Sequence, residues 1–188
     1  KSNNMIGTHT PDKNFISINE GWFIKNNDFT KKFNMLGGII TDCVTEIYTS
    51  KDGIEYEFIK ITIKDEETYL LSLPVFGLAR TFMVMCPNID LSKMLEFRLS
   101  NNAKGRADLF LLQDGKYLKY AFTKDNPKGM PEFEQKHDGK WDSSKQIEWL
   151  KLILNKYIIS KIPKALEVPD LSEDDFSDPF LDDDGLPF

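Results

Sequence analysis

The chain has 188 residues, 40% hydrophobic and 29% charged, the balance of an ordinary globular protein with one domain plus appendages or two small domains. No apolar run approaches the roughly 18 residues a spanning helix needs, and no secretory leader is visible at the start. Two cysteines are too few for a disulfide framework, so Cys43 and Cys86 read as reduced core residues of a cytoplasmic protein. The formal net charge of −6 argues against a polyanionic partner, but the charges are segregated. Residues 165–188 hold nine acids and no base; with those nine set aside, the 24 basic residues face 21 acidic ones, and the body carries +3. A mildly basic body joined to an acidic tail is the asymmetry of a nucleic-acid binder whose tail can compete for its own groove.

In chain order, residues 1–14 are too polar to fold alone and are expected to be disordered. Trp22-Phe23-Ile24 is a short aromatic stretch, able to plug one end of a barrel, and residues 25–32 are polar. From residue 35 to 122 the pattern is one of successive strands. The first spans about 36–48, with Gly37-Gly38 near its start; glycine inside a strand often marks a bulge or a barrel corner. Asp52-Gly53 is a strong hairpin signal. The next strand, 54–64, alternates: Ile59, Ile61 and Ile63 on one face, Tyr56, Phe58, Lys60, Thr62 and Lys64 on the other.

A turn at Asp65-Glu66-Glu67 leads to a third strand at 68–75, then a short helix at 76–85. Strands follow at 94–99, 107–113 and 117–122, the last two joined at Asp114-Gly115. Residues 125–139 form a polar loop. A helix is expected at 144–161, capped by Ser143 or Ser144, striped by Ile147, Leu150, Leu154, Tyr157 and Ile158, and stopped by Pro163. The fold class is mainly β: an OB-type Greek-key barrel of five to six strands, with an SH3-like barrel or a small sandwich as alternatives. The organisation is a disordered N-terminus at 1–14, a body at 15–142, a C-terminal helix at 143–164 and a disordered acidic tail at 165–188.

Catalysis is poorly supported. His9 and His137 have no cysteine near them, no ligands converge for a metal, no glycine-rich phosphate loop is present, and the acidic tail lacks the glutamate that closes an EF-hand loop. The reading is of a protein that is not an enzyme and uses no cofactor. A nuclease would need a carboxylate cluster, and Asp42 and Glu46 share a strand face without partners. The best binding candidate is the face of Tyr56, Phe58, Lys60 and Lys64, because single-stranded nucleic acid needs rings for stacking and cations for phosphates, each stacked base contributing about 1–3 kcal/mol. Phe76 and Arg80 after the third strand, Lys104 and Arg106 in a glycine-containing hairpin loop, and Tyr117 and Lys119 on the last strand are further candidates. For each of them, packing or a solvated charge is the competing role.

Several stretches together resemble a single-stranded DNA-binding protein of the phage-encoded type: Gly37-Gly38-Ile39-Ile40-Thr41-Asp42, Gly53-Ile54-Glu55-Tyr56-Glu57-Phe58, Leu73-Pro74, Asn88-Ile89-Asp90-Leu91-Ser92-Lys93, Ala121-Phe122-Thr123-Lys124-Asp125-Asn126-Pro127-Lys128-Gly129, and the closing Asp182-Asp183-Asp184-Gly185-Leu186-Pro187-Phe188. The last is similar to the Asp-Asp-Asp-Ile-Pro-Phe of bacterial members, with Gly185 inserted. The resemblance implies an OB-fold body, Tyr56, Phe58 and Lys60 as groove residues, and Asp182, Asp183, Asp184, Leu186, Pro187 and Phe188 as a tip that docks replication or recombination proteins. It implies sequence-independent binding and protection of single-stranded DNA in replication, recombination or repair, in the cytoplasm of a bacterial host if phage-encoded. The helix after the barrel departs from the compact bacterial form, so a monomer or dimer is expected rather than a tetramer, with no membrane partner. The alternative is an interaction module whose acidic tail mimics nucleic acid against a host protein.

Overall fold

A computed structural model describes residues 13–101 and 106–163. Its strands are β1 (Asn14–Asn19), β2 (Trp22–Lys25), β3 (Lys32–Phe33), β4 (Met35–Thr49), β5 (Glu55–Lys64), β6 (Thr68–Pro74), β7 (Leu95–Asn101), β8 (Ala107–Gln113), β9 (Lys116–Tyr117), β10 (Glu134–Gln135) and β11 (Trp141–Asp142). Two α-helices, α1 (Leu78–Met85) and α2 (Ser144–Leu154), accompany them. The protein is mainly β. Nine strands form one open mixed sheet in the order β3-β2-β1-β6-β5-β4-β7-β8-β9, and β10 and β11 make a separate hairpin. The β1–β6 pair is parallel, whereas β4, β5 and β6 form an antiparallel meander.

The sheet is organised by β4, which serves two partners. Its first residues, Met35 to Gly38, pair with β7; from Ile39 onward it pairs with β5. Gly38 sits at the changeover with φ of 150°, and a Cβ there would lie 2.6 Å from the Lys64 carbonyl oxygen, so no larger residue fits without moving backbone. Just beyond, the register with β5 slips between Ile40 and Asp42. That bulge exchanges the faces of the strand. Leu36 and Ile40 point into the core before it, and Cys43 does so after it.

The alternation expected of β5 is present: Ile59, Ile61 and Ile63 are fully buried. Each such side chain contributes about 1.5–3 kcal/mol relative to exposure. Leu71 and Leu73 of β6, and Phe97 and Leu111 of β7 and β8, complete the inner face. Helix α1 closes one side with Ala79, Phe82 and Met83; the Phe82 ring stacks on Phe97 with centroids 5.9 Å apart. Helix α2 lays Ile147, Leu150 and Leu154 on the same core, and a single π turn (Asn155–Ile159) brings Ile158 in as well. Burial pushes the Cys43 thiol up to about 12, with Asp42 adding to the effect, and raises Cys86 too.

Several local expectations are corrected. The last strand stops at Tyr117 rather than 122: the Leu118 amide donates to Leu111, the Ala121 amide donates to Val84 of α1, and Phe122 turns inward to meet Trp149 edge-on at 4.9 Å. The α-helical part of the last helix ends at Leu154, where backbone bonding changes to the π turn. The Ser143 and Ser144 hydroxyls do not cap α2. The Asp142 carboxylate takes that role, accepting from the Ser144 amide at 2.9 Å and hydroxyl at 2.6 Å. Residues 14–33 contain three strands, and the loop at 125–139 carries β10. Phe23 joins the core, while Trp22 stays partly exposed.

Candidate nucleic-acid interface

The Asp52-Gly53 turn joins β4 to β5, with Gly53 in the left-handed region. Across this long hairpin Tyr48 lies opposite Tyr56, Glu46 opposite Phe58, and Val44 opposite Lys60. On the other side of β5, Phe58 lies opposite Pro74 and Lys60 opposite Ser72. The face turned away from the core thus carries a run of rings, Tyr48, Tyr56 and Phe58, with both tyrosines exposed. Beyond β6 the chain turns at Phe76 and Gly77 into α1, and Phe76 stands out at 66% exposure.

These elements border a groove of about 700 Å³. It is lined by Phe58 of β5, Ser72 and Pro74 of β6, Phe76, Leu78 and Thr81 at the start of α1, Ser17 and Ile18 of β1, and Arg106 and Asp108 at the start of β8. Phe58, Phe76 and Arg106, separated by up to 48 positions in sequence, line one concavity. Its lining combines two aromatic rings, three hydroxyls, one guanidinium and one carboxylate, so it can offer stacking surfaces to planar rings and a cation to an anionic backbone.

The cations differ from expectation in their partners. Lys60 is ion-paired with Glu46 across the hairpin. Both side chains are partly solvated, so the pair contributes a few tenths of a kcal/mol, of the order a surface bridge supplies, and a phosphate can replace the carboxylate at little cost. Lys64 is exposed at the far end of β5, opposite Ile39. Arg106 shares the groove margin with Asp108. Lys104 and the tail residues Asp182, Asp183, Asp184, Leu186, Pro187 and Phe188 lie outside the described residues.

Arg80 is not in the groove. Its Nε donates to Gln146 Oε1 at 2.7 Å, and its guanidinium lies 5.2 Å from the centre of the Phe133 ring. Desolvation there pulls its pKa down. Tyr117 and Lys119 fall beside β8, where the Tyr117 ring meets Phe110 edge-on at 5.9 Å, next to a second hollow of about 510 Å³. Phe110 and Asp108 are two apart on β8 and share its outer face.

Sequence reasoning missed Tyr48, Phe110 and the two groove serines. Tyr48 was hidden by the bulge: alternation counted from Leu36 turns it inward. Phe110 carried a signal, since it alternates with Leu109 and Leu111, but it was absorbed into an apolar run. Among the described residues no three His, Cys, Asp or Glu side chains converge as metal ligands do, and no helix is long and apolar enough to cross a membrane. Comparison with protein-family models, with curated proteins and with solved structures finds no match to this chain.

Proposed function

We propose that the protein binds single-stranded DNA without sequence preference on an OB-type body. The observation that carries the reading is the convergence of Phe58, Phe76 and Arg106 on one groove beside exposed Tyr56 and Tyr48. The connectivity supports it. A three-strand meander (β4, β5, β6), a helix (α1) and a hairpin (β7, β8) whose first strand returns to pair with β4 follow each other in the order of an OB fold. The strands β1 to β3 are an addition to that plan.

In this mechanism bases stack on the exposed rings, while Arg106, Lys64 and Lys60, released from Glu46, neutralise phosphates. The +3 body supplies the field, and the aspartates 182–184 compete with DNA for it; Leu186, Pro187 and Phe188 dock replication or recombination proteins. The test is a titration of fluorescent poly-dT with the full chain and with a chain lacking 170–188, at two salt concentrations. The reading requires affinity that falls steeply with salt and rises on removal of the acids at low salt. Absence of binding by both proteins favours the mimic instead, and a cut oligonucleotide in added magnesium or manganese favours a nuclease.

A further inference from the structure

The best-positioned cation of this molecule lies away from the groove. Arg80 projects from α1 and is held twice, by the Gln146 amide oxygen at 2.7 Å and by the Phe133 ring at 5.2 Å. Gln146 is itself only 4% exposed and donates its own amide to the Pro131 carbonyl at 2.8 Å, so the clamp is fixed from below. Both partners of the guanidinium are neutral. Among the described residues no carboxylate is ion-paired with it, although burial penalises its charge. A half-buried, immobilised cation without a counter-ion is a poor use of stability unless an anion arrives.

The space in front of it fits an anion with an apolar body. A pocket of about 350 Å³ opens over Arg80, walled by Met130, Pro131, Phe133 and Trp141, with Lys124 at the rim and Glu132 as the one acid beside it. Trp141 is 67% exposed and lines the pocket, and among the described residues no aromatic ring stacks on it. None of the residues lining this pocket lines the groove.

The chain contains a segment of matching chemistry. Residues 173–180 read Glu173-Asp174-Asp175-Phe176-Ser177-Asp178-Pro179-Phe180: four acids interleaved with two phenylalanines. The segment follows α2, the helix that supplies Gln146, and its first residue is ten positions beyond Pro163. Ten extended residues reach about 35 Å, whereas the roughly 17 residues from Gln146, which lines the pocket, to Pro163 span about 25 Å at helical rise, so the pocket is within reach. Tethering also raises the local concentration of the segment to the order of millimolar.

We infer that segment 173–180 docks intramolecularly in this pocket, its acids paired with Arg80 and Lys124 and its phenylalanines packed against Phe133 and Trp141. The docked stretch ends short of Asp182, leaving 182–188 to compete for the groove or to meet a partner. The body then holds its own tail at a station separate from the DNA-binding face.

The test uses the full chain with Ser172→Cys carrying a nitroxide spin label; buried Cys43 and Cys86 do not compete for the reagent. In ¹⁵N spectra the Trp141 indole peak and the amides of Thr123, Met130 and Phe133 are expected to be lost through paramagnetic broadening, and to return at high salt. They are expected to return also in Arg80→Gln. Because Arg80→Gln leaves Gln146 without its partner and can unfold the clamp, Phe176→Ala/Phe180→Ala provides the second variant, and it leaves the body untouched. The inference is overturned if the peaks survive in the labelled parent, if their loss persists in the segment variant, or if the loss centres on Phe58, Ser72 and Phe76. Mixing labelled ¹⁴N protein with unlabelled ¹⁵N protein should leave the peaks intact; their loss there means docking between copies and also overturns it.

Discussion

The groove over β5 and β6 and the pocket over Arg80 hold similar residue types, yet they are built in opposite ways. Around the groove, Tyr48, Tyr56 and Phe76 are exposed and cations have acids beside them: Lys60 on the adjoining stretch of β5 is paired with Glu46, and Arg106 stands near Asp108. At the pocket, one cation is half-buried, clamped by an amide and a ring, and has no paired acid among the described residues. Charges on solvated stems exchange partners cheaply and suit a ligand that slides. A fixed, uncompensated guanidinium suits a ligand that arrives at one place in one orientation.

The two regions share α1, whose Leu78 and Thr81 face the groove while Arg80 faces the pocket. Removing the ring that seats this helix should break both at once. Phe82→Ala is expected to cost about 3–5 kcal/mol of stability, read as a lower urea midpoint. Truncating a groove ring should separate them. Phe58→Ala is expected to weaken poly-dT binding by about 1–3 kcal/mol, while Trp141→Ala leaves it unchanged. An equal loss in both would remove the distinction drawn above. Charge gives a finer separation: Arg106→Gln is expected to lower the salt slope of binding by about 1, and Arg80→Gln to leave it alone.

The smallest effect concerns acid. Hydrogen bonds from the Ser144 hydroxyl, then from its amide, and then from Lys136 hold the Asp142 carboxyl down to about 2. A carboxyl depressed on folding stabilises above its unfolded pKa, near 3.9, and loses that contribution as pH falls through the folded value. The start of α2, beside Trp141 and Gln146, is therefore expected to fray between about pH 4 and pH 2. Amide protection of Ser144 to Ile147 would show it; Asp142→Ala should display the fraying at neutral pH, and the two proteins should converge near the acid limit.

Much of the sheet was legible because β5 and β7 alternate and because Asp52-Gly53 and Asp114-Gly115 announce their turns. In the second of these, both residues adopt positive φ, as a two-residue hairpin requires. The helix at 144 was legible from its stripe. What failed did so for physical reasons. Strands β1 to β3 are short, and β1 draws stability from parallel pairing with β6, a partner over fifty residues away. The stretch after Tyr117 has strand composition, but Phe122 packs edge-on against Trp149 instead of joining a ladder. Asp142 outcompetes the serines at the cap because an ionised acceptor binds amide hydrogens more strongly than a hydroxyl does. At the site, Tyr56, Phe58, Phe76 and Arg106 came from residue type and alternation. That Arg80 belongs elsewhere depended on Gln146 and Phe133, and no local pattern links those residues to it.

The slip at Thr41 acts on β4 as a frameshift acts on a message. Pairing the same sequence without the slip would keep every letter and would turn over every side chain from Asp42 to Thr49. Cys43 would face reagents in solvent, Val44 would take its place inside, and Tyr48 would leave the rings of Tyr56 and Phe58. The aromatic face is therefore written in the spacing of the chain as much as in its letters, and a comparison that scores letters alone would pass over the change.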